Sequence, residues 1–403
     1  MVVSRLCVAG DDSHNYMVTR LLHVSDTHLG NRQYGSDVRR EDFLDAFEEA
    51  IEYAIDEDVD AVIHTGDLFD SRDPRLPDLN RCIDALQRLD DVDIPFLGIV
   101  GNHERKMDDQ YLDLISKTGA AERLDESPRM INNEVAVYGI DAVTKPAWHA
   151  KDFTLDEPPT DAHSILCLHQ LLHPPVPEIF AEHPLDDVIE RVNLDLDAIA
   201  LGDYHETEGT IEDGTRVWYA GSTERCAKDE TSPRTVSLLE IEDGDLTRRE
   251  KELDARDFLP IPITFSEEDG REHAENEISR RNVDGKVVLV TVTGESTAVT
   301  SRDIREIVID RGAAVCRVDD QRGGFEFDDD EERSLGDIES ADRLIEERLA
   351  EQNLSEISVE IEERVRTENV ARSGFDDEVE EMMMKAQDEA FDSDVAVQTE
   401  GDE

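Results

Sequence analysis

The most constraining feature of the sequence is a series of short apolar segments, each followed at once by residues that bind metal ions. The segments and their polar ends read HVSDTHLG, VIHTGDLFD, IVGNHE, CLHQ and ALGDYHE, in this order along the chain. Each apolar part has the length and composition of a buried β-strand. A loop directly after such a strand can turn its side chains toward an ion above the edge of the sheet. The five segments therefore predict an α/β protein with its functional site at the strand ends.

The polar residues at these strand ends form a mixed set of carboxylate, amide and imidazole ligands. Carboxylate and amide oxygens suit hard divalent cations, and imidazole nitrogen suits manganese, iron, nickel or zinc. A single Asp-x-His or Gly-Asp pair is usually an ordinary capped turn, but five such signals after five strands indicate a centre that binds two metal ions. The candidate residues are Asp26, His28, Asp67, Asn102, His103, His169, Asp203 and His205.

The chain divides by pattern into a large and a small α/β part. Apolar runs alternate with amphipathic helical stretches up to about residue 255, which predicts strands sandwiched between helices. Beyond Pro260 the pattern predicts strand, helix, strand, helix and strand in a second domain. The predicted units are a loose extension at 1–16, a large domain at 17–255, a small domain at 256–325 and an acidic linker with helices at 326–403.

The acidic tail contains two helical candidates, at 356–366 and 375–391. The second candidate carries three consecutive methionines on an otherwise acidic helix. Such a helix is either an adaptable docking face for a partner or a solvated tail, and the sequence leaves both interpretations open.

The chain is very acidic, with a net charge of −59 from 100 acidic and 41 basic residues. Such a balance would normally argue against nucleic acid as a partner. At about 1 M salt, however, the Debye length is only about 3 Å, so that an acidic surface hardly repels DNA beyond contact. Because the acidic residues are spread through every segment, we interpret the chain as halophilic and adapted to a high-salt cytosol.

Cysteine usage and hydropathy predict the compartment. The five cysteines lie far apart, mostly within apolar runs, and are predicted to be core thiols in a reducing cytosol. No apolar run approaches the roughly 18 residues of a membrane span. We therefore expect a cytoplasmic protein without a membrane partner.

The ordered motifs resemble those of the calcineurin-like metallophosphoesterases and, within them, of the meiotic-recombination-eleven family, whose bacterial members are called SbcD. The resemblance covers about residues 19–255 and extends more weakly to about 258–318, which is similar to that family's capping domain. The segment YAGSTER also resembles the family's Gly-Ser signature. The resemblance implies a four-layer α/β metallophosphoesterase sandwich and a nuclease that processes DNA double-strand breaks, with the preference for exonuclease or endonuclease cleavage left open.

The resemblance also implies a role for each candidate residue. The ligands of the first ion would be Asp26, His28, Asp67 and His205, and those of the second would be Asp67, Asn102, His169 and Asp203. His103 would hold or protonate the leaving oxygen of the scissile phosphate, and the alternative for His103 is a hydrogen-bonded supporting residue. The implied cofactors are two Mn²⁺ ions per chain, with Mg²⁺ as the alternative.

Two positions depart from the family's pattern. Asp203 stands where the family usually has a second histidine, and Asp70 stands where many members have a histidine after the Gly-Asp motif. An aspartate at a ligand position should shift the preference toward Mn²⁺ or Mg²⁺ and away from softer ions. The two departures also predict that nuclease activity is reduced or altered.

The resemblance implies several partners. These are DNA ends, a second copy of the chain and a coiled-coil ABC-ATPase of the SbcC or Rad-fifty type. The basic residues predicted to contact DNA are Arg32, Arg39, Arg72, Arg75 and Arg105, although each could instead pair with a neighbouring acid. The residues predicted for the dimer face are Leu79, Ile83, Leu86, Tyr111, Leu112 and Ile115.

Two other functions are compatible with the same motifs. A phosphatase or small-molecule phosphodiesterase could use the same fold, because a metal site alone does not choose a substrate. A mainly structural subunit that binds DNA ends, with weak catalysis because of Asp203 and Asp70, belongs to a different functional class. The extra domain and the methionine-rich tail favour the nuclease.

Overall fold

The computed structural model describes residues 18–106, 109–296 and 298–322. The predicted N-terminal extension, the acidic tail and the two helical candidates of the tail lie outside these residues. The chain separates into one unit at 1–322 and a second at 323–403, and every structural statement below concerns the first. The predicted domain boundaries at 255 and 325 stay predictions.

The described residues form strands and helices in frequent alternation. The strands are β1 (Thr19–Val24), β2 (Ala61–His64), β3 (Phe96–Gly98), β4 (Glu122–Arg123), β5 (Arg129–Ile131), β6 (Val135–Ile140), β7 (His163–His169), β8 (Leu172–His173), β9 (His183–Pro184), β10 (Ala198–Gly202), β11 (Gly209–Glu212), β12 (Thr215–Tyr219), β13 (Thr235–Glu242), β14 (Asp245–Glu252), β15 (Phe258–Phe265), β16 (Val287–Gly294) and β17 (Val315–Asp320). The helices are α1 (Asp37–Asp56), α2 (Leu76–Asp90), α3 (Tyr111–Ser116), α4 (Leu185–Arg191), α5 (Arg271–Ser279) and α6 (Ser301–Asp310).

Two six-stranded sheets form the large part of the fold. The strand order is β14-β13-β1-β2-β3-β4 in one sheet and β11-β12-β10-β7-β6-β5 in the other. The strands β1 to β4 are parallel, as are β6, β7, β10 and β12. Antiparallel strands form one edge of the first sheet, at β13 and β14, and both edges of the second, at β5 and β11. The carboxyl ends of neighbouring parallel strands lie at one edge of a sheet, which is the usual place for a binding site in such sheets.

The core has three apolar layers because successive residues of a strand point to opposite faces. Leu21 of β1 packs into the layer between the two sheets, together with residues such as Ile63 and Ile165. Leu22, one position later, packs on the other face against helices α1 and α2. A third layer joins the outer face of the second sheet to α4. The arrangement of helices, sheet, sheet and helices is the expected four-layer sandwich.

Local signals explain where the helices begin. Ser36 precedes α1, and its hydroxyl accepts hydrogen bonds from the backbone N–H groups of Val38 and Arg39. Thr300 precedes α6 and forms a capping box with Asp303. Such caps satisfy backbone donors that have no partner within the helix.

The small α/β part follows the predicted order of strand, helix, strand, helix and strand. Its strands β15, β16 and β17 form a parallel three-stranded sheet, and helices α5 and α6 cover an apolar layer of its own. Arg256, just before β15, links this part to α1 because its guanidinium pairs with both carboxylate oxygens of Asp42, at 2.6 and 2.7 Å.

The structure corrects two sequence-based predictions about side-chain environment. Most residues predicted for a dimer face, namely Leu79, Leu86, Leu112 and Ile115, lie in the apolar layer under α1 and α2 of the same chain. They point inward because they form the apolar stripes that attach α2 and α3 to the sheet. Among the cysteines, Cys226 is only partly buried, whereas Cys82, Cys167 and Cys316 are in the core as expected and Cys7 lies outside the described residues.

Within the described residues, every helix is too short or too polar to cross a bilayer.

Candidate metal centre

The predicted ligands lie at the carboxyl ends of the parallel strands. Asp26 follows β1 by two residues, Asp67 follows β2 by three, His169 ends β7 and Asp203 directly follows β10. The backbone φ angle is positive at Asp26 (50°), His28 (42°), Asp67 (54°) and Asp203 (87°). Most non-glycine residues rarely adopt this conformation, whereas Asp, Asn and His tolerate it in tight turns. The strand ends thus turn sharply and direct these side chains to one place.

Asp67 lies at the centre of the cluster. Its Oδ2 is 3.7 Å from Nε2 of His28 and 3.5 Å from Nε2 of His169. Its Oδ1 accepts a hydrogen bond of 3.0 Å from the backbone N–H of His103. One carboxylate therefore faces two separate imidazoles, which is the geometry that a bridging ligand needs.

The other ligands group on the two sides of Asp67. On one side, Nε2 of His28 lies 3.2 Å from Nε2 of His205. On the other, Nε2 of His169 lies 3.3 Å from Oδ1 of Asn102 and 3.8 Å from Oδ1 of Asp203. The structure thus brings six of the seven predicted metal ligands together around Asp67, and Asp26 is the seventh.

Asp26 is close to both groups. Its carboxylate accepts the backbone N–H of Asp203, at 3.1 and 3.2 Å. A ligand atom of Asp26 also lies within 4.8 Å of ligand atoms of Asp67 and His169. Asp26 was predicted to bind the ion near His28, and its carboxylate interacts electrostatically with His205 on that side. The division of ligands between two ions stays a prediction.

The electrostatics of the cluster fit divalent cations. Asp26, Asp67 and His169 are at most 1% exposed. Buried charges of this kind need a close countercharge, because removing them from water is costly. Burial alone would raise the pKa of Asp67, but the imidazoles of His169, His28 and His103 together outweigh it and lower that pKa well below its usual value. Burial likewise opposes a charge on His169, whose pKa the Asp67 carboxylate nevertheless raises well above its usual value.

Asp203 differs electrostatically from the other carboxylates. Burial raises its pKa to about 7. The neighbouring His169 acts to lower this pKa, whereas the carboxylates of Asp67 and Asp26 raise it further. A cation would relieve this repulsion between carboxylates. The Nδ1 atom of His28 is buried and makes no hydrogen bond among the described residues, and its nearest charged group is the Asp70 carboxylate, at 3.5 Å.

Glycines leave room for the ligands. A Cβ atom on Gly101 would come within 2.1 Å of Oδ1 of Asp67, and one on Gly202 would come within 2.4 Å of the Ser25 hydroxyl. A Cβ atom on Gly66 would lie 2.5 Å from Nδ1 of His169. Only glycine fits at these three turns, so the loops pack tightly around the cluster and the residues present fit a metal centre.

His103 occupies the open rim of the cluster. Its ring stands at 84° to that of His28, with ring centroids 4.8 Å apart. Its Nδ1 lies 3.2 Å from the backbone oxygen of Asp70, and the residue is exposed. Because a carbonyl oxygen only accepts hydrogen bonds, Nδ1 must carry a proton, which leaves Nε2 to interact with a bound substrate.

Supporting residues that the sequence did not reveal hold the ligands. Glu104 accepts backbone hydrogen bonds from Leu68, Phe69 and Gly101, each at 3.2 Å. Glu230 accepts a bond of 2.9 Å from Nδ1 of His205. Glu104 directly follows His103 in the motif, a signal that could have found it, whereas Glu230 lies 25 residues beyond its partner with no local signal.

Asp70, one of the two departures from the family's pattern, also contacts the ligands. Its Oδ1 lies 3.5 Å from Nδ1 of His28. Its backbone oxygen faces His103 as described above. A carboxylate behind a metal-binding imidazole orients the ring and makes it a stronger ligand. Asp70 can therefore support His28.

The arginines predicted to contact DNA are in very different environments. Arg39 is fully buried, with its guanidinium paired to Asp42 at 2.7 Å and to Glu224 at 3.3 Å. These contacts hold α1 to the loop after β12, so Arg39 does not reach the surface. Arg32 is exposed and pairs with Asp37 at 3.0 Å. Arg75 is exposed, while Arg72 and Arg105 are partly buried.

Comparison with known proteins gives several close matches. Residues 19–207 match the family model of the calcineurin-like phosphoesterases. The chain is 38% identical over 388 residues to the DNA double-strand break repair protein Mre11 of Haloferax volcanii, covering 96% of this chain and 86% of that protein. The protein of the same name from Halobacterium salinarum is 38% identical over 359 residues, or 88% and 91% of the two chains. The Mre11 protein of Methanosarcina mazei is 38% identical over 376 residues, which cover 91% of this chain and 60% of that protein.

Proposed function

The chain belongs to the family of the DNA double-strand break repair protein Mre11, and from this premise we propose that it is a manganese-dependent nuclease that cuts DNA ends. Its calcineurin-like domain makes it a metal-dependent phosphodiesterase. The observation that carries the proposal is the convergence of seven ligand side chains around Asp67, at the edge where parallel strands end.

The ligands of each of the two proposed ions would come from one side of Asp67. The ligands of one are Asp26, His28, Asp67 and His205, and those of the other are Asp67, Asn102, His169 and Asp203. Two bound ions would supply a water of lowered pKa as nucleophile and stabilise charge on the phosphate. The protein fixes the ligand positions through its tight, glycine-containing turns.

Manganese fits the proposed ligand set better than a softer ion. The side near His169 offers three oxygen ligands to one imidazole, because Asp203 replaces a histidine. Oxygen-rich sites with some imidazole suit Mn²⁺, and Mg²⁺ is the alternative. The opposite side is richer in nitrogen, with His28 and His205 3.2 Å apart.

His103 acts on the leaving group in this proposal. Its Nδ1 proton is directed at the Asp70 backbone oxygen, so the other ring nitrogen faces the open rim. When the ring is protonated, Nε2 donates a hydrogen bond or a proton to the leaving oxygen. His28 packs against the edge of this ring and limits its rotation.

The proposed partners are DNA ends, a second copy of the chain and a coiled-coil ABC-ATPase of the SbcC or Rad-fifty type. The DNA surface would include Arg32, Arg72, Arg75 and Arg105 but not the buried Arg39. Docking of the ATPase would involve the acidic tail at 326–403, for which the sequence predicts helices. The proposed compartment is a high-salt cytosol, in agreement with the similarity to haloarchaeal relatives.

The proposal is tested with purified full-length protein in multimolar KCl. We expect Mn²⁺-dependent cleavage of double-stranded DNA that is lost in Asp67→Asn and in His103→Asn. His103→Asn should still bind Mn²⁺ and DNA, because His103 is not one of the metal ligands. His149→Asn changes an exposed histidine elsewhere and is the matched control.

The same experiment separates the alternatives. Cleavage of an aryl phosphodiester or phosphomonoester without cleavage of DNA would indicate a phosphatase or small-molecule phosphodiesterase. Binding of DNA ends without any cleavage would indicate a structural subunit. Cleavage by His103→Asn at the rate of the unchanged protein would contradict the role of His103.

A further inference from the structure

A cysteine lies beside the nitrogen-rich side of the metal centre. Cys226 belongs to the loop between β12 and β13, and its thiol lies within 4.8 Å of ligand atoms of both His28 and His205. The Nε2 atoms of these two histidines face each other at 3.2 Å. Three potential ligand atoms from three separate loops therefore surround one small volume.

The chemistry of this group differs from that of the opposite side. Two imidazoles and a thiolate are soft ligands that suit Zn²⁺ or Co²⁺ in tetrahedral geometry, whereas manganese prefers oxygen. The side near His169 offers two carboxylates and an amide oxygen to its one imidazole. The centre is thus chemically asymmetric, and the thiol increases the difference.

Glu230 organises two of the three soft ligands. Its Oε1 accepts the hydrogen bond from Nδ1 of His205, at 2.9 Å. Its Oε2 accepts one from the backbone N–H of Cys226, at 2.8 Å. Because the proton of His205 is on Nδ1, the lone pair of Nε2 is available to an ion. Arg234, which is buried, holds Glu230 in place with a bond of 3.1 Å.

The thiol already interacts with one of the two histidines. Cys226 and the imidazole of His205 share a side-chain hydrogen bond, and Sγ also lies 3.5 Å from the backbone oxygen of Glu224, which is a weak interaction for sulfur. The residue is partly buried beside these two histidines, whereas Cys82, Cys167 and Cys316 are enclosed in apolar layers. Among the described cysteines, Cys226 is therefore the thiol placed to bind an ion at the metal centre.

We propose that Cys226, His28 and His205 form a binding site for a thiophilic divalent ion such as Zn²⁺ or Co²⁺. The site shares two ligands with the proposed first manganese site, so a thiophilic ion bound there excludes manganese and inhibits the nuclease. This last consequence rests on the proposed function, but binding of the ion through sulfur does not. The thiol loses its proton to solvent on binding, and sulfur donates its electron pair to the ion without any redox change.

Spectroscopy on the full-length protein tests sulfur ligation directly. Titration with Co²⁺ in multimolar KCl under reducing conditions should produce a thiolate-to-cobalt charge-transfer band in the near ultraviolet. Cys226→Ser should lose this band and bind Co²⁺ or Zn²⁺ about 10- to 100-fold more weakly, the size of effect usual when a residue supporting a metal is lost. Cys316→Ser, in the small α/β part, is the control and should behave like the unchanged protein.

A second measurement does not depend on any substitution. Alkylation by iodoacetamide, mapped by mass spectrometry, should modify Cys226 in the metal-free protein, and one equivalent of Zn²⁺ should protect it. Absence of both the charge-transfer band and the protection in the unchanged protein would overturn the proposal, as would an undiminished band in Cys226→Ser. Mn²⁺-dependent cleavage measured in parallel assesses the proposed function separately.

The inhibitory consequence has its own readout. Added Zn²⁺ should suppress Mn²⁺-dependent DNA cleavage by the unchanged protein at concentrations that leave Cys226→Ser active. Equal zinc sensitivity of the two proteins would overturn the competition, even where spectroscopy supports sulfur ligation.

Discussion

Replacement of Glu104 tests how the fold fixes the metal ligands. The side chain is 4% exposed and connects the turn after Asp67 to the turn before Asn102. Its Oε1 accepts the N–H groups of Leu68 and Gly101, and its Oε2 accepts that of Phe69. Two ligand-bearing loops are thus held together by one carboxylate.

The expected loss of stability follows from these three bonds. Each buried donor left without a partner costs about 1 to 3 kcal/mol. Glu104→Ala leaves three such donors, so we expect the free energy of unfolding to fall by about 3 kcal/mol or more. Glu104→Gln keeps one acceptor oxygen and turns an amide N–H₂ toward a backbone donor, so we expect a loss of about 1 to 3 kcal/mol.

The effect on metal binding should be larger than the loss of stability alone suggests. Glu104→Gln lets Asp67 and Asn102 move relative to each other, and loss of such support typically weakens metal binding about 10- to 100-fold. Mn²⁺ affinity is measured by calorimetry and stability by chemical denaturation. The control is Asp197→Asn, because Oδ2 of Asp197 accepts the N–H of Ser164 at the opposite end of β7.

The outcome can contradict this reasoning in two ways. Mn²⁺ binding by Glu104→Gln as tight as that of the unchanged protein would show that the carboxylate does not hold the ligands. The second contradictory result is an Asp197→Asn variant that weakens Mn²⁺ binding as much as Glu104→Gln does. The loss of affinity would then reflect general destabilisation of the sheet.

Three further predictions concern other parts of the molecule. Glu230→Gln should weaken metal binding about 10-fold. The amide cannot accept hydrogen bonds from all three donors that now meet the carboxylate, which belong to His205, Cys226 and Arg234. An unchanged calorimetric titration would contradict this. Burial lowers the pKa of His23 and of His64 to about 3. The free energy of unfolding should therefore decrease as the pH falls below about 6.5, by about 2 kcal/mol per histidine between pH 7 and pH 5. Chemical denaturation that gives the same stability at both pH values would refute this. Finally, the protein should unfold on transfer from multimolar KCl to dilute buffer, measured by circular dichroism, and full stability without salt would exclude the halophilic interpretation.

The histidine prediction has a structural basis. The indole N–H of Trp218 donates to Nδ1 of His23 at 2.8 Å, so this nitrogen must carry a lone pair. Its Nε2 lies 2.9 Å from the hydroxyl of Thr65. Protonation of Nδ1 would break the bond to Trp218 inside the layer between the sheets. The unfolded chain binds the proton freely, and acid therefore favours unfolding.

The sequence predicted the strands that carry the candidate ligands, and where those side chains lie, because both signals are local. Each ligand directly follows an apolar run, so strand position and site position were read from the same few residues. The strand pair β13 and β14 was missed, although it completes the first sheet. In β14 only Leu246 is buried, so this strand has no apolar alternation by which it could be recognised.

Long-range contacts were the part that the sequence could not supply. Arg39 was predicted to contact DNA because it lies near the ligands in a basic stretch, but its partner Glu224 is far away in sequence and buries it. Cys226 and Glu230 reach the metal centre through the same loop after β12. Nothing in the spacing of this loop identifies either residue, because their role depends on how the second sheet positions the loop beside His205.

The pairing of basic residues constrains how such an acidic protein can bind DNA. Arg32 pairs with Asp37, and Lys106 pairs with Asp73 at 2.7 Å. A DNA phosphate that binds either residue must displace a carboxylate, so little net charge attraction is gained, and counterion release contributes little at high salt. Affinity must then come from direct hydrogen bonds and from the metal centre. DNA affinity should therefore depend only weakly on KCl concentration and strongly on Mn²⁺. A steep decrease of DNA affinity with rising KCl concentration, measured without Mn²⁺, would show instead that the arginines act as free charges.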